Sequence, residues 1–358
     1  MNPESLELDF HPVGDGERCG DAISARYTIG NDTFISVIDG GTQDSGATLV
    51  EFINENYDNP ELISSVVCTH GDDDHTSGLR AVVEAFDIGV IYMNRPWLYA
   101  SELVNEFDRP YTTEGLARLL KEAYPILVEI DEMATAKGIT ISEAFQGTQI
   151  DSITVLAPSR ERYISLIPQF SRTPDAPVPL REGVVVNTQR ALDLIPESWE
   201  IETLDDFVQE PTSASNESSV VQYGNLDGKR FLLTGDAGED GLHEAIAYAQ
   251  QINIQLPGLE IMQVPHHGSR HNVSKSVLNQ LLGQPLPTEQ ENVSAIASVS
   301  SGTETHPRKK VTNAFKRRGA PVSKTAGEGI LCRGLTTSGR AGWEKPVVKL
   351  PLFSEVEK

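Results

Sequence analysis

The ten residues 69–78, Thr-His-Gly-Asp-Asp-Asp-His-Thr-Ser-Gly, limit most strongly what this chain can fold into. They place two imidazoles and three carboxylates in six consecutive positions, directly after the apolar run 63–68, which is predicted to be a buried strand. If the backbone stays extended through His70, the side chains of His70, Asp72 and Asp74 point to one side, because side chains alternate along a strand. This pattern indicates a metal site in the loop that follows the strand. A solvated acidic turn is the alternative, but it accounts for neither histidine.

Three more predicted strands lead to side chains of the same kind. Residues 230–234 lead to Asp236, residues 260–264 lead to two adjacent histidines, and residues 295–300 precede His306. Five of the eight histidines lie in these loops and in 69–78. Because imidazole and carboxylate groups are common metal ligands, their gathering at one sheet edge favours a site for one or two metal ions. Taken singly, Asp236 is more typical of a turn and His306 of a helix start.

Predicted strands and helices alternate along the chain, which indicates an α/β fold. Two stretches interrupt the alternation: a helical insertion at about 95–145 and an irregular insertion, rich in proline and acidic residues, at about 160–215. We interpret the helical insertion as a cover for one sheet face, with a substrate pocket or a partner-binding surface as alternatives. The other predicted strands are 6–10, 22–29, 34–38, 88–93, 150–157 and 218–223.

Charge and cysteine content narrow the class of protein. With 29 basic and 52 acidic side chains the formal charge is −23, so the general surface repels polyanions and any anionic substrate must be bound locally. The three cysteines are isolated, which suggests neither a disulfide framework nor a thiolate zinc site and fits a reducing cytosol. No apolar run approaches the ~18 residues of a membrane span, and the start of the chain does not resemble a signal peptide. We therefore expect a cytoplasmic protein, complete as a soluble unit and without a membrane partner.

Taken together, the motifs resemble those of metallo-β-lactamase-fold hydrolases, most of all the hydrolase domain of ComEC-type DNA-uptake proteins and its stand-alone relatives. The segment His70-x-Asp72-x-Asp74-His75-x-x-Gly78 is similar to the form of the family signature in which an aspartate replaces the second histidine. Leu-Leu-Thr-Gly-Asp at 232–236 and Val-Pro-His-His-Gly-Ser at 264–269 are similar to the later motifs, and Gly-Asp-Ala at 20–22 and Asp-Gly-Gly at 39–41 fit the first strands. The resemblance covers most of the chain. It does not extend to the membrane-channel part of the ComEC-type proteins, which is absent here.

The resemblance implies a single domain over residues 1–358, folded as a four-layer αββα sandwich with the metals at one edge of two mixed sheets. It implies that Asp74 or a bridging hydroxide acts as nucleophile or base, and that His306 contacts the substrate or protonates the leaving group. His266 would support a metal ligand or replace one. The implied ligands are His70, Asp72 and Asp236 for one metal, and Asp74, His75, Asp236 and His267 for the other.

The chain departs from the usual family pattern at the first metal. No histidine follows the predicted strand 150–157, where many members supply another ligand, so the first metal is expected to be weakly held. Asp72 in place of a histidine makes the ligand set harder and shifts its preference from zinc towards manganese or magnesium. The expected cofactor is one or two divalent metal ions, Zn²⁺ or Mn²⁺.

A basic cluster follows His306 in the predicted helix 308–318, which holds six of the 29 basic residues. We interpret it either as a local phosphate site, with Lys309, Lys310 and Ser269 binding substrate, or as a solvated helix face. Combined with the resemblance, it favours a nuclease or phosphodiesterase that acts on nucleic acid or another phosphodiester through a metal-activated hydroxide.

Two alternatives stay open. One is hydrolysis of a small ester, lactone or thioester at the same centre. The other is a subunit that binds a protein partner through its helical insertion and whose metal site is regulatory or latent. Since stand-alone relatives occur beside proteases in bacterial conflict systems, the resemblance is also consistent with an effector of such a system, restrained by a partner.

Overall fold

The computed structural model describes residues 4–14, 16–174, 194–343 and 345–358, and part of the irregular insertion, 175–193, lies outside the described residues. The elements before residue 175 are β1 (Glu4–Phe10), β2 (Ala22–Ile29), β3 (Asp32–Gly40), α1 (Gln43–Asn56), β4 (Leu62–Cys68), α2 (Asp73–Thr76), α3 (Leu79–Ala85), β5 (Asp87–Met93), α4 (Ala100–Leu103), α5 (Thr113–Ala123), α6 (Pro125–Lys137), β6 (Thr140–Ser142), β7 (Gln149–Ile150), β8 (Ile153–Ala157) and α7 (Arg160–Leu166). The elements from residue 194 are β9 (Leu194–Pro196), α8 (Ala214–Glu217), β10 (Val221–Leu226), β11 (Lys229–Leu233), α9 (Glu239–Gln251), β12 (Ile261–Gln263), α10 (Lys275–Leu281), β13 (Ser294–Ala297), α11 (Lys309–Arg317), β14 (Val322–Lys324), β15 (Ile330–Arg333) and β16 (Glu355–Glu357). Short 3₁₀ turns lie at Pro96–Tyr99, Ile167–Gln169 and Pro265–Gly268.

Two seven-stranded sheets make up the centre of the molecule. The strand order is β15-β1-β2-β3-β4-β5-β6 in the first sheet and β14-β13-β12-β11-β10-β8-β7 in the second. Strands β3 to β6 are parallel, and so are β11 to β14. Loops that follow parallel strands meet at the carboxyl edge of a sheet, where ligand sites of open α/β sheets lie.

Three apolar cores define four layers. The core between the sheets joins residues such as Leu8 and Ile23 of the first sheet to Phe231 and Ile296 of the second. A second core packs α1, α3, α5 and α6 on the outer face of the first sheet, and a third packs α9, α10 and α11 on the outer face of the second. The predicted αββα sandwich is therefore confirmed. That all of 1–358 forms a single domain stays a prediction.

The helical insertion packs on the first sheet. Leu116 and Leu120 of α5 and Ile130 of α6 are buried in the core that covers this sheet. The apolar face predicted for this stretch is therefore used within the chain, as expected for helices that cover a sheet. Among the described residues, no helix is both long and apolar enough to cross a membrane.

Two predicted strands have different bounds from those expected. The stretch 150–157 is a hairpin of β7 and β8, because Asp151 takes a left-handed φ of 53° and turns the chain. The stretch 218–223 becomes a strand only at Val221, after the helical turn α8, whose first free amides are capped by Ser213.

The basic helix α11 presents much of its charge to the interior. Arg317 and Arg318 are 1% and 2% exposed, and they form ion pairs of 2.6 Å with Glu197 and Glu202. The acidic irregular segment thus neutralises the end of the basic helix. The interpretation of the whole cluster as a phosphate site is wrong for these two arginines, because their guanidinium groups have no access to a substrate. The helix begins at Lys309 and ends at Arg317, one residue inside each predicted bound.

Gly78 allows the metal-site loop to pack on the end of β3. A Cβ atom at Gly78 would lie 1.9 Å from the Gly40 carbonyl oxygen, and one at Gly46 would lie 2.4 Å from the Gly78 oxygen. The Gly78 amide donates to the Gly41 carbonyl at 3.0 Å. These close backbone contacts place the loop beside α1 and β3, and only glycine satisfies them without displacement of the backbone.

Candidate metal centre

Most of the predicted ligand residues meet at the shared carboxyl edge of the two sheets. His70 follows β4, and the helical turn α2 carries Asp74 and His75. Asp236 follows β11, and the two adjacent histidines that end in His267 follow β12. The structure therefore brings together, from both sheets, residues that are far apart in sequence.

The backbone does not stay extended as far as Asp74. The Asp72 carbonyl accepts hydrogen bonds of 3.1 Å from the amides of His75 and Thr76, which closes the turn α2. The expectation that strand alternation points His70, Asp72 and Asp74 to one side is therefore wrong. A helical turn, rather than an extended strand, brings Asp74 and His75 to the centre.

The Asp236 carboxylate lies at the middle of four imidazoles. Its Oδ2 atom is 3.4 Å from His75 Nε2, 3.5 Å from His266 Nε2 and 3.9 Å from His70 Nε2, and its Oδ1 atom is 3.8 Å from His267 Nε2. A carboxylate in such a position is suited to bridge two cations, as the resemblance implies for Asp236.

Several ligand-type atoms at this centre are buried without a hydrogen-bond partner. They include Nε2 of His70 and His75, both ring nitrogens of His267 and Oδ1 of Asp236. Buried polar atoms are normally satisfied, and a bound cation would satisfy these. The sets within ligand distance are His70, His75 and Asp236; Asp74, His75 and His267; Asp236, His266 and His267; and Asp21, Asp39 and His75. The donors therefore fit one or two divalent metals, although the role of each residue as a ligand stays a prediction.

In three histidines, a hydrogen bond at Nδ1 directs the Nε2 atom to the centre. His75 Nδ1 donates to Asp39 at 2.8 Å, and His266 Nδ1 donates to the Asn272 side-chain oxygen at 2.9 Å. Thr69 uses its hydroxyl proton towards Asp39, so it accepts from His70 Nδ1 at 3.1 Å. Each arrangement leaves the electron pair of Nε2 free, as a metal ligand requires.

Asp39 and Asp21 are components of the centre that the ligand prediction did not include. Asp39 is fully buried and accepts from the Thr69 amide at 2.8 Å, in addition to the bonds from the Thr69 hydroxyl and His75. Asp21 lies 3.8 Å from His75 Nδ1 and accepts from Gln263 at 2.7 Å. In the sequence, both could be recognised as carboxylates at strand ends, since Asp21 directly precedes the predicted strand 22–29 and Asp39 directly follows the predicted strand 34–38.

The electrostatic surroundings favour the metal-binding protonation state at some of these residues, whereas at His70 and His75 burial is outweighed by the neighbouring carboxylates, which raise the imidazole pKa. Burial lowers the pKa of His267 to about 3, so its imidazole is neutral. Despite its burial, the Asp236 carboxyl has a pKa well below its ordinary value because three histidines surround it. Burial opposes ionisation of Asp72 as well, but the hydrogen bond and charge of His70 lower its pKa to about 2. Burial raises the pKa of Asp21 to about 7, with a contribution from the nearby Asp236 charge.

The turn that carries His266 and His267 has a strained backbone. Both residues have positive φ values, 46° and 58°, which are uncommon for side chains with a Cβ atom. Such conformations cost on the order of 1–3 kcal/mol each and concentrate at functional sites. Next to them, a Cβ atom at Gly268 would lie 2.3 Å from Pro307 Cβ, so the turn packs closely on the chain after His306.

Asp72 lies at the outer side of the centre. Its Oδ2 atom is 3.7 Å from His70 Nε2, and its Oδ1 atom accepts from the Ser215 hydroxyl at 3.1 Å. The side chain is 28% exposed, in contrast to the fully buried His70. Asp72 is therefore placed beside the first predicted metal position, but not within the compact sets formed by the other ligands.

The predicted substrate residues differ in their accessibility. Burial and the charge of Arg308 lower the pKa of His306 to about 4, so in the free protein it is neutral at pH 7 and suited to hydrogen bonding rather than to proton donation. Lys309 is partly exposed, with its Nζ atom 5.4 Å from the centre of the Phe353 ring. Lys310 and Ser269 are 5% and 4% exposed, which leaves them little surface for substrate.

The helical insertion contributes one wall behind the first predicted metal position. A Cβ atom at Gly71 would lie 2.8 Å from the Tyr124 ring, so the glycine allows the metal-site loop to pack on the insertion. The Tyr124 hydroxyl is buried without a partner and borders a cavity of about 10 Å³ that Thr69 and His70 also line. Such a cavity holds about one water molecule.

Comparison with known proteins agrees with this architecture. Residues 27–144 match the model of the metallo-β-lactamase superfamily, a segment that includes the first motif and most of the helical insertion. The resemblance predicted from the motifs is therefore confirmed.

One curated relative is ComE operon protein 3 from Bacillus subtilis (strain 168), with 24% identity over 151 residues. The match covers 42% of this chain, and the chain spans only 18% of the length of that relative.

Similar solved structures are also metallo-β-lactamase-fold proteins. The metallo-β-lactamase-fold protein YhfI from Bacillus subtilis is 9% identical to this chain. The match covers 93% of this chain and 100% of that chain, with a TM-score of 0.41. A metallo-β-lactamase from Hirschia baltica is 12% identical, with 77% and 91% covered and a TM-score of 0.32.

Proposed function

We propose that this chain, whose residues 27–144 match the model of the metallo-β-lactamase superfamily, is a hydrolase that cleaves phosphodiester bonds, as a nuclease or phosphodiesterase, at the candidate metal centre. The proposal is supported by the ligand set, by the resemblance to the ComEC-type hydrolase domain and by the charge of Arg308, which acts on His306. Arg308 is the observation that favours phosphodiesters over other substrates.

Arg270 and Arg308 provide positive charge beside the centre. Arg270 follows the strained histidine turn, and the Arg308 amide donates to the Gly268 carbonyl at 3.0 Å. Burial and the neighbouring Arg270 charge lower the pKa of the Arg308 guanidinium, and the Arg308 charge acts on His306. Arg270 Nη1 already donates to the Lys358 main-chain oxygen at 2.5 Å. Among the described residues, Arg308 has no carboxylate oxygen within 4.0 Å, so its guanidinium retains donors for an anion. Guanidinium groups match the geometry of phosphoryl oxygens.

The chemistry follows from these positions. His70, His75, Asp236, Asp74 and His267 would hold one or two divalent cations, which supply Lewis-acid charge and lower the pKa of a water molecule. Arg308 binds a non-bridging phosphoryl oxygen of the substrate and orients the phosphorus. His306, neutral at pH 7, donates or accepts a hydrogen bond at the substrate. The buried Asp39 holds His75 in the orientation that the centre requires.

Hydrolysis assays with a matched pair of variants test the proposal. The substrates are bis(p-nitrophenyl) phosphate, single- and double-stranded DNA and RNA, each with Mn²⁺, with Zn²⁺ and with EDTA. Asp74→Asn removes a predicted ligand and is expected to reduce kcat/KM at least 100-fold. Asp73→Asn, at the adjacent position, changes a side chain that is 57% exposed and pairs with Arg172, so its activity should stay within about twofold. Full activity of Asp74→Asn would contradict the proposal.

A variant of Arg308 distinguishes phosphodiester hydrolysis from hydrolysis of a small carboxylic ester. Arg308→Gln is expected to reduce kcat/KM for bis(p-nitrophenyl) phosphate about tenfold or more, because a charge-assisted contact to phosphate is lost. It should leave hydrolysis of p-nitrophenyl butyrate unchanged, and Lys324→Gln, at an exposed lysine of β14, serves as the control for charge. If the carboxylic ester is the better substrate and Arg308→Gln has no effect on the phosphodiester, hydrolysis of a small ester, lactone or thioester becomes the better assignment.

The identity of the metal, a protein partner on the helical insertion and a role as a conflict-system effector stay predictions. Because the apolar faces of α5 and α6 are buried on the first sheet, a partner would have to bind the remaining, largely polar surface of the insertion.

A further inference from the structure

A pocket of about 410 Å³ lies between the two sheets, away from the metal centre. Its lining includes Lys229, Ile261 and Ser294, the first residues of three parallel strands of the second sheet. Asp236 follows the opposite end of the strand that Lys229 begins. At about 3.3 Å per residue, the strand from Lys229 to Leu233 alone separates the two places by roughly 13 Å. The pocket is therefore distinct from the candidate metal centre.

The floor of the pocket is apolar and belongs to the core between the sheets. Ile261, Ile296 and Ile330 are buried members of this core and also line the pocket. At its rim, Leu335 and Val347 are 69% and 41% exposed. The pocket thus opens the inter-sheet core to solvent, and an apolar body that enters it would remove water from this surface. Its volume is within the range of about 300–1,000 Å³ that is usual for small-molecule sites.

The charged residues of the lining are all basic. They are Lys229, Arg333 and Lys349, and no carboxylate side chain in the described part of the chain lines the pocket. Lys349 forms an ion pair with Glu291, whereas Lys229 and Arg333 have no carboxylate within 4.0 Å among the described residues. In a chain of formal charge −23, an apolar pocket bordered by two cations that form no ion pair within 4.0 Å in the described part of the chain is complementary to an organic anion.

The walls of the pocket are held in place without a ligand. The Asp227 carboxylate accepts from the amides of Thr336 and Thr337 at 3.0 Å and from both hydroxyls at 2.8 Å. On the other side, Lys349 forms a β-bridge with Ser323 of β14. Preformed walls reduce the ordering that a ligand would otherwise have to impose.

We propose that this pocket binds a small amphipathic organic anion, with its apolar body on Ile261, Ile296 and Ile330 and its acidic group between Lys229 and Arg333. The site is separate from the hydrolytic centre, so the proposal holds whether or not the protein cleaves phosphodiesters.

A pair of fluorescent probes tests both parts of the site. The probes are 8-anilinonaphthalene-1-sulfonate and its uncharged analogue N-phenyl-1-naphthylamine, which share an apolar body. The double variant Lys229→Gln/Arg333→Gln is expected to bind the sulfonate about five- to tenfold more weakly, since two partly exposed charge contacts are lost. Its affinity for the uncharged probe should stay within twofold. Lys324→Gln, on an exposed β14 residue that does not line the pocket, is the matched control.

Ser294→Trp places a large side chain at the pocket and is expected to abolish binding of both probes. Should this variant fail to fold, methyl chemical shifts of Ile261 and Ile296 on addition of the sulfonate to the wild-type chain test the same location. Unchanged sulfonate affinity in the double variant, unchanged binding to folded Ser294→Trp, or shifts confined to methyls elsewhere would each overturn the proposal.

Discussion

Asp39 is the buried carboxylate on which the orientation of the metal centre depends most directly. Its Oδ1 atom accepts from the Thr69 amide at 2.8 Å, and its Oδ2 atom accepts from the Thr69 hydroxyl at 2.5 Å and from His75 Nδ1 at 2.8 Å. Asp39→Asn preserves the shape of the side chain but replaces one acceptor oxygen by an NH₂ group. Asparagine also tolerates the left-handed φ of 54° at this position.

The substitution forces a donor to face another donor. If the amide nitrogen takes the place of Oδ1, it faces the Thr69 N–H, which cannot change. If it takes the place of Oδ2, His75 can accept only by moving its proton from Nδ1 to Nε2. That tautomer directs an N–H group at Asp236 and removes the electron pair that a metal requires. Loss of such a supporting contact typically reduces metal affinity by about 10–100-fold, which corresponds to about 1.4–2.7 kcal/mol.

Metal affinity, measured by competition with a chromophoric chelator, is the assay. Asp39→Asn is expected to bind Mn²⁺ or Zn²⁺ about 10–100-fold more weakly and to regain part of its activity at high metal concentration. Asp58→Asn is the matched control, because Asp58 also has a left-handed φ, 62°, but its side chain is 96% exposed. Unchanged metal affinity in folded Asp39→Asn would refute the role assigned to this carboxylate.

Three further predictions concern stability, and each is checked by urea unfolding. Gly78→Ala is expected to lower the free energy of unfolding by about 3 kcal/mol or more, because its Cβ would lie 1.9 Å from a backbone carbonyl oxygen. The control Gly16→Ala, with no atom within 4 Å of its Cβ, should change this free energy by less than about 0.5 kcal/mol. Equal stabilities of the two variants would contradict the packing described for the loop. Arg317→Met leaves the Glu197 carboxylate buried and unpaired, which should cost about 3–5 kcal/mol, and adding Glu197→Met should recover a large part of that loss. Burial, with the nearby charge of Arg340, lowers the pKa of His11 to about 3. Below pH 6.5 the unfolded chain therefore takes up a proton that the folded chain does not. The free energy of unfolding falls as the pH is lowered. This group alone should remove about 2 kcal/mol between pH 6.5 and 5; His11→Gln should lack that part of the slope, and a slope equal to that of the wild-type chain would show that His11 is not responsible.

Local sequence patterns determined most of the secondary structure and the type of centre. The apolar run before His70 predicts β4 because a buried parallel strand is apolar on both faces. The histidines and carboxylates after β4, β11 and β12 were recognisable because side chains of this kind are costly to bury without a ligand or partner. Since these signals are local, each can be read without knowledge of what lies opposite in the fold.

Tertiary structure decided which of these groups face one another. Nothing near α11 in the sequence shows that Arg317 and Arg318 turn inwards, because their partners Glu197 and Glu202 are more than a hundred residues away. The role of Asp39 was equally hidden, since a carboxylate at a strand end is ordinary until His75 is found 2.8 Å from it. Local patterns along the chain therefore predict the α/β alternation and the kind of chemistry at the strand ends. The pairing of charges and the orientation of the ligands depend on contacts between distant segments, and these exist only once the two sheets have packed together.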